Sequence, residues 1–517
     1  MKKRFDYFLE TTQFPLVVLF IATFLLGCGN LLVNSQVAIF WSNTNTFIQL
    51  LSAYLRLAGS FLIQIFPLII LVYATQKKMD DPVAGVLGAV TYFFLLITTM
   101  FLAPTSLPSY AYTKIFGLSI DSSLFSVLGA QSRSPLNLGV LASVICYYIV
   151  KYCYLRTRNR RAYGIFAFVD KNMLAVIWCT CVSIVVGGIL SFVWPYVIKG
   201  VVAVFAFIAD DITNPFNLFI YGITERFASM LNMVEIPRNV FWFGESGGSW
   251  LDSLGRKFVG DVSIWTAQIS NSAVSSGIGR FITPLYVIQI FAIPGYLVAM
   301  FTLYTNRFEK RKYLVFLIFA ILISMFMGSS APFDLFMFCT APLLFMLHVF
   351  FCGVLYAALQ WSKVYIGYLY TGSAVLASPG SFGDLLVYLK SPTMFKPIQV
   401  LFGIGVFVFV LYFFATKIYY RYLAIDMFQS GERKSLVDNL VEALGGLENI
   451  RVIDSNPFKI LIQVHDEAKV DILRLRILCN SKVFESKTGF VLYFYKASHA
   501  LHVDISRMIN ALKESAE

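Results

Sequence analysis

The chain has 517 residues, of which 58% are hydrophobic and 14% are charged, and its formal net charge is +12. This composition is too apolar for a soluble protein of this length, so it excludes that class and predicts a polytopic membrane protein. The basic residues are dispersed through short loops instead of gathered on one surface, and we therefore expect no nucleic acid partner.

Long apolar runs occupy most of the first 425 residues. Runs that approach or exceed the roughly 20 residues of a spanning helix cover 15–33, 83–103, 173–198, 313–328 and 400–416. Together with runs that are interrupted by Pro and Gly, they predict about eight to ten transmembrane helices in a mainly α fold. The first run follows "MKKR" without a recognisable cleavage site, which predicts a retained helix and not a signal peptide.

The orientation in the membrane is predicted from the distribution of Lys and Arg. Short basic loops occur at 1–4, 75–81, 151–164 and 306–313. The long segment 104–137 holds only Lys114 and Arg133. Because cytoplasmic loops carry an excess of basic residues, this bias predicts a multi-pass protein of the cell (plasma) membrane with both termini in the cytoplasm.

Two interruptions fall at apparent membrane depth. They are "NPFNLFIYG" (214–222) and "SPGSFGD" (378–384), in which Pro and Gly break the helical pattern. Lipid cannot satisfy free backbone polar groups, so such segments must line a cavity or be buried in protein. Broken helices of this kind often form the site for a polar substrate.

The pattern changes near residue 425. From 435 to 517, "KSLVDNLVEALGG" predicts a helix with a glycine stop, "KILIQVHD" and "VLYFY" predict strands, and "ALHVDISRMINALKESAE" predicts an amphipathic final helix. We therefore expect a membrane domain at 1–425 and a small cytoplasmic α+β domain at 435–517.

Neither cysteine nor histidine predicts a metal site. The eight cysteines lie mostly in apolar runs without metal-ligand spacing, and cysteine commonly behaves as a small buried hydrophobe. Of the four histidines, three lie beyond residue 460. The sequence therefore predicts no metal and no cofactor.

A family resemblance is carried by both parts of the chain. The stretch "LVEALGGLENIRVIDSNPFKILIQVHDEAKVD" (440–471) resembles the start of the IIB domain of the glucose/glucoside superfamily of sugar phosphotransferase-system (PTS) permeases. Segments 187–197, 219–227, 287–300 and 306–353 resemble the IIC transport domain of that superfamily in order and spacing. The chain is thus similar to a IICB sugar permease over nearly its whole length.

The resemblance implies an architecture and a set of partners. A IIC-like domain at 1–425 would contain a dimerisation half, at about 15–200, and a transport half at 200–425, followed by the IIB-like domain at 435–517. It further implies a homodimer in the lipid bilayer, a hexose or glucoside as the sugar, and a partner that is a IIA protein or a regulator. No IIA domain is visible in the sequence, so we expect any phosphoryl donor to be a separate protein.

The IIB resemblance also implies the loss of a reactive group. In the family, the cysteine of "D-A-C-x-T-R-L" accepts a phosphoryl group from IIA and passes it to the sugar, which requires a nucleophilic thiolate. Asn456 occupies that position here, and an amide nitrogen cannot replace a thiolate. Pro457 then removes a backbone N–H from the loop, and Phe458 and Lys459 replace Thr and Arg. Cys479, the one nearby thiol, is expected to be a buried structural cysteine.

The sugar site of the family is altered as well. The family sequence "G-I-T-E-P-I-E-F", whose first Glu contacts the sugar, aligns with residues 328–335, so that Ala331 replaces that Glu. The paired histidines of the family align with Val234 and Glu235. Glu235 is then a new charge in the cavity or a solvated loop residue. A carboxylate that could orient or deprotonate a sugar hydroxyl is lost at Ala331.

Several polar residues remain as candidate sugar ligands. Asp334 occupies the second acidic position of the family, and a carboxylate in the bilayer is costly, which favours a function over a structural role. Glu225 and Arg226 could contact sugar or neutralise each other. Ser330 offers a hydroxyl at a helix break, where serine is also common for structural reasons. His348 is more typical of a hydrogen-bonded packing residue than of a ligand.

Three functions fit the sequence. The first is a IICB-type permease that moves a hexose or glucoside without coupled phosphorylation, or with phosphorylation elsewhere. The second is a membrane sugar sensor whose inert IIB-like domain binds a regulator. The third is an active phosphotransferase, against which Asn456 argues.

Overall fold

The structure is a computed structural model, and it describes most of the chain. The described residues are 2–34, 45–113, 134–157, 171–270, 277–304, 307–369, 376–389, 392–423, 430–456, 459–479, 483–486, 489–494 and 498–514. Lys114, Arg133, Pro457, Phe458 and part of the basic loops at 151–164 and 306–313 lie outside them.

The chain forms two compact units. One contains Met1–Ala299 and Leu317–Thr416, and the other contains Met300–Phe316 and Lys417–Glu517. These units do not coincide with the predicted boundary between the membrane domain and the IIB-like domain at 425–435, or with the predicted boundary between the two membrane halves near residue 200. Both boundaries stay predictions.

Helices dominate the first 423 residues. They are α1 (Lys2–Val33), α2 (Thr46–Gln64), α3 (Phe66–Met79), α4 (Pro82–Leu102), α5 (Gly139–Thr157), α6 (Lys171–Asp210), α7 (Pro215–Met230), α8 (Glu235–Phe241), α9 (Asp261–Ser270), α10 (Thr283–Leu303), α11 (Arg307–Met327), α12 (Ala331–Thr340), α13 (Pro342–Trp361), α14 (Phe382–Leu386) and α15 (Pro392–Leu423). A small antiparallel hairpin of β1 (Ser249–Leu251) and β2 (Lys257–Val259) lies between α8 and α9.

The polytopic membrane fold is confirmed. Within the described residues, seven helices are long and apolar enough to cross a membrane, namely Thr11–Val33, Thr46–Gln64, Pro82–Leu102, Asn172–Asp210, Thr283–Leu303, Pro342–Trp361 and Thr393–Arg421. Tyr313–Met327 and Ala331–Thr340 are shorter apolar helices. The run at 173–198 is part of the much longer helix α6, whose length of roughly 60 Å at 1.5 Å per residue exceeds the thickness of the hydrocarbon core.

Both predicted helix breaks are present. Between α6 and α7, the Asn214 side chain accepts from the Phe216 N–H at 2.9 Å, and Pro215 occupies the first turn, where its missing N–H has no cost. The second break precedes α14, which Ser381 caps. It packs on the turn before α12: a Cβ added to Gly328 (φ +64°) would lie 2.4 Å from the Ser378 carbonyl oxygen, so only glycine fits there.

The C-terminal region has the predicted α+β character. Helix α16 (Ser430–Ala443) is followed by β3 (Ile450–Ser455), β4 (Ile460–Val464), α17 (Ile472–Leu478), β5 (Val483–Ser486), β6 (Gly489–Leu492) and α18 (Ser498–Glu514). The strands form one antiparallel sheet in the order β3-β4-β6-β5. Gly445 and Gly446, both with positive φ, follow α16 as the expected glycine stop. The sequence patterns did not predict β3, α17 or β5.

Candidate functional site

A buried group of charged and polar residues lies where α7, α12 and α13 meet; we call Glu225, Arg226, Ser330, Asp334 and His348 the Arg226 cluster. Arg226 Nε donates to Glu225 Oε2 at 2.6 Å, and Nη1 donates to Ser330 Oγ at 2.6 Å and to Asp334 Oδ2 at 3.3 Å. The Arg226 and Glu225 side chains also form an ion pair through Nη2. Arg226 is 1% exposed, and both carboxylates are 0% exposed.

Asp334 is the acceptor at the centre of the cluster. Its Oδ2 accepts from Ser229 Oγ and from Ser330 Oγ, each at 3.2 Å. Its Oδ1 lies 3.2 Å from Nε2 of His348, whose Nδ1 lies 2.7 Å from the Tyr412 hydroxyl oxygen on α15. His348 is therefore a buried, hydrogen-bonded residue, as the sequence predicts. The arrangement links α7, α12, α13 and α15.

Arg238 on α8 is a member of the site that sequence reasoning missed. Its Nη2 lies 3.8 Å from Glu225 Oε1, and its Nη1 donates to the Ala377 carbonyl oxygen at 3.2 Å, next to the second helix break. The guanidinium also lies 4.5 Å from the centre of the Trp242 ring. An arginine within an apolar stretch was the available signal, because such residues rarely face lipid.

The acidic and basic groups of this region are paired. Two carboxylates, Glu225 and Asp334, face two guanidinium groups, Arg226 and Arg238, and His348 contacts Asp334. A buried ion network is stable only when its members are paired and hydrogen-bonded. Glu225 and Arg226 thus neutralise each other in this conformation, and sugar contact by either would require their contacts to rearrange.

Ser330 and Ala331 are held at the start of α12. Ser330 is the residue before the helix, and Ala331 is its first residue. The Ser330 hydroxyl accepts a hydrogen bond from Arg226 and donates one to Asp334. The methyl group of Ala331 supplies neither an acid nor a base at the position where the sequence resemblance predicts a Glu.

Glu235 lies apart from the Arg226 cluster. It is the first residue of α8 and lines a separate cleft with Gln64, Asn137 and Asn232. The structure therefore does not show the solvated loop residue that the sequence left open. It brings Glu225, Arg226, Ser330 and Asp334 together and does not bring Glu235 to them.

Asn456 closes the β3–β4 hairpin. Its backbone N–H donates to the Lys459 carbonyl oxygen at 3.0 Å, and its side-chain Oδ1 accepts from the Lys459 N–H at 2.9 Å. Asparagine side chains commonly stabilise turns in this way. Asn456, which the sequence predicts at the phosphocysteine position, is thus a turn-forming amide, and the Lys459 N–H is occupied by the Asn456 side chain.

Cys479 is the single thiol among the described residues of the α+β region. It is 3% exposed and packs in the core with Leu475, Ile460 and Leu492. Burial raises the pKa of the Cys479 thiol to about 12, because the thiolate loses its hydration. It is a structural cysteine, as predicted, and has neither the access nor the ionisation of a phosphoryl acceptor.

Comparison with known proteins places these features in a family. The family model "Phosphotransferase system, EIIC" matches residues 11–353. A glucoside-specific EIICBA component of the PTS of Staphylococcus carnosus (strain TM300) is 25% identical over 532 residues, an alignment that covers 97% of this chain and 72% of that protein. The matched range runs from within α1 to within α13 and includes all five members of the Arg226 cluster.

Proposed function

The chain belongs to the EIIC family of the phosphotransferase system, and from that membership we propose that it binds and translocates a hexose or glucoside without phosphorylating it. The observation that carries the proposal is the engagement of Asn456 in the hairpin turn, where the side-chain oxygen accepts from Lys459 N–H at 2.9 Å. A phosphoryl acceptor needs a nucleophile that can later leave, and a carboxamide offers neither property. The glucoside-specific relative supports a glucoside as the substrate class.

The membrane part supports translocation. The turn before α12 and the break before α14 pack against each other beside Arg238, and irregular backbone at membrane depth is typical of substrate cavities in transporters. The Arg226 cluster lies at the start of α12, next to this region. We assign sugar contact to Arg226, Glu225, Ser330 and Asp334 after rearrangement of their ion pairs.

The assembly and orientation belong to the same proposal. The N-terminal helices at about 15–200 form a homodimer, the residues at 200–425 carry the sugar, and the IIB-like domain at 435–517 lies in the cytoplasm with both termini. The apolar surface of α2 and α6 is compatible with this, since Phe47, Leu57, Phe192 and Tyr196 are exposed in the single chain. In a membrane such side chains contact lipid or a partner subunit.

Reconstitution tests the proposed transport. Full-length protein in liposomes should take up a labelled glucoside equally well with and without phosphoenolpyruvate, the general PTS proteins and a glucose-type IIA, and the internal product should be the free sugar. Uptake that requires phosphoenolpyruvate, or sugar phosphate formed by the unmodified chain, would show an active phosphotransferase and refute the proposal.

Two variants sharpen the experiment. Asn456→Cys restores a thiol, but the Ala331 position still lacks its acid, so we expect no sugar phosphate from this variant. Asn456→Cys combined with Ala331→Glu tests whether both groups suffice. Positioning and proton transfer are commonly worth roughly 10²-fold or more in rate, and the Val234–Glu235 pair remains unlike the family, so turnover should stay low in the double variant.

A second candidate function is a sugar sensor. The observation that favours it is an apolar pair on α17: Leu473 is 73% exposed and Ile477 is 76% exposed, one helical turn apart on the IIB-like domain. Such a pair suits a regulator that binds a domain without a nucleophile. Saturable glucoside binding without uptake in liposomes, together with capture of a regulator that is lost in Leu473→Asp, would support sensing over transport.

A further inference from the structure

A polar cavity lies in the membrane part, at the point where three helix junctions meet. Gln64 is the last residue of α2, Asn137 precedes α5, and Asn232 and Glu235 flank the link between α7 and α8. Asn232 Nδ2 donates to the Ile63 carbonyl oxygen at 2.8 Å, and the Val140 N–H donates to the Leu231 carbonyl oxygen at 2.9 Å. These bonds hold the junctions together. We call this cavity the Glu235 cleft.

The cleft contains polar groups that the structure leaves without partners. Among the residues that the structure describes, the Glu235 carboxylate makes no hydrogen bond and no ion pair within 4 Å, and the charge that acts on it is that of Arg238, three residues along α8. Asn137 is only 9% exposed, and its side chain also makes no hydrogen bond within that set, although its backbone N–H donates to the Ala111 carbonyl oxygen at 2.8 Å. Asn137 is buried and Glu235 is half-buried. A partly desolvated polar group without a hydrogen-bond partner is costly, so a ligand that supplies one would be stabilised there.

The size of the cleft limits the ligand. Its volume is about 30 Å³, and since one water needs roughly 10–15 Å³ on this measure, it holds a few waters or one partly hydrated ion. A hexose does not fit. The rest of the wall combines apolar side chains, among them Pro67, Leu96 and Leu138, with the hydroxyl-bearing Tyr92 and Thr113.

The charge of the cleft indicates the valence of the ion. One carboxylate balances one positive charge, whereas a divalent cation would leave an uncompensated charge in an apolar surrounding. The amide oxygens of Gln64, Asn137 and Asn232 are hard donors of the kind that complete the shell of such ions. The Nδ2 bond to Ile63 leaves Asn232 Oδ1 available for this purpose.

We propose that the Glu235 cleft is a binding site for a monovalent cation, with sodium as the fitting ion, held by the Glu235 carboxylate and the amide oxygens of Gln64, Asn137 and Asn232. Transporters commonly place coupling ions where helices are interrupted. In a chain that moves a glucoside without phosphorylating it, the ion gradient then supplies the energy for uptake. This last step rests on the proposed function, whereas the ion site does not.

Equilibrium binding of ²²Na⁺ to the full-length protein in detergent tests the site without any transport. Wild type should bind saturably, and Glu235→Gln should weaken binding by ~10-fold or more, because the affinity of such sites follows ligand charge. Glu245→Gln is the matched control: that carboxylate is 82% exposed and pairs with Lys257 at 3.3 Å, so its removal should change nothing.

Further binding measurements can refute the proposal. Absence of saturable ²²Na⁺ binding to wild type, which needs no variant to fold, would overturn it, as would equal binding by Glu235→Gln. Displacement of the label by magnesium or calcium at lower concentration than by unlabelled sodium would overturn the monovalent assignment. Asn137→Ala should also weaken binding. If the protein binds sodium but takes up glucoside independently of sodium, the ion site is supported and the proposed coupling to transport is refuted.

Discussion

The side-chain oxygen of Asn456 accepts a hydrogen bond from the Lys459 N–H at 2.9 Å, in the turn where the sequence resemblance predicts the position of a phosphoryl-accepting cysteine. The same pair is joined by the Asn456 N–H and the Lys459 carbonyl oxygen at 3.0 Å. Asn456 is therefore a structural residue of the turn between β3 and β4.

Loss of the Asn456 side chain should loosen this turn. Asn456→Ala removes the acceptor for the Lys459 N–H, and a typical hydrogen bond contributes about 1 kcal/mol, so we expect roughly fivefold faster amide exchange at Lys459. Asn456→Asp keeps an acceptor and is the control with near-native exchange. Hydrogen exchange of the full chain, read by mass spectrometry, gives the answer, and unchanged exchange in the Ala variant would contradict it.

The Arg226–Asp334 pair should be strongly coupled. Asp334→Leu leaves two guanidinium groups, Arg226 and Arg238, facing the single carboxylate of Glu225, and such an uncompensated buried charge commonly costs about 3–5 kcal/mol. The double variant with Arg226→Met restores charge balance between Glu225 and Arg238 and should recover much of the loss. Thermal unfolding of detergent-purified variants measures both, with the surface change Glu245→Gln as control. Additive losses in the double variant would argue against a coupled pair.

Cys479 should be inert in the native protein. Its thiol has a pKa raised to about 12 by burial, so it is protonated at neutral pH and gains thiolate only in strongly alkaline solution. We expect iodoacetamide at pH 8 to leave Cys479 unmodified until denaturant is added, whereas a cysteine introduced at the exposed position Leu473 reacts at once. Rapid native labelling of Cys479 would reopen the search for a phosphoryl acceptor.

Both termini should lie in the cytoplasm. In a background without the native cysteines, Leu473→Cys and Gln76→Cys should be protected from a membrane-impermeant maleimide in intact cells, and Ser106→Cys should react. All three positions are exposed, so burial does not confuse the comparison. The reason is the excess of Lys and Arg in the loops of the predicted inner side. Labelling of Leu473→Cys from outside would refute this topology.

The protein should be a homodimer in detergent. The expected interface lies in the N-terminal helices, where α2 and α6 expose large apolar side chains such as Tyr54, Leu57 and Phe192. Light scattering coupled to size exclusion gives the protein mass free of detergent. A monomer mass at every protein concentration would count against the dimer.

The sequence by itself determined the class of the protein, because membrane helices and their loops obey simple rules of length, apolarity and charge. It also determined the α+β character of the C-terminal region, and it predicts that Asn456 stands in place of the family's phosphoryl-accepting cysteine. The sequence did not predict the short strand β5 and helix α17, because tertiary contacts stabilise them more than their own residue pattern does.

Tertiary structure alone decided which charges meet. Arg226 and Asp334 are 108 residues apart, yet their side chains form an ion pair, and Arg238 joins them through Glu225. Glu235, only nine residues from Arg226, lies in another cavity because the turn after α7 carries it toward the α2–α3 junction. Sequence spacing predicts neighbours within one helix, but contacts between helices depend on packing and on the need of each buried charge for a partner.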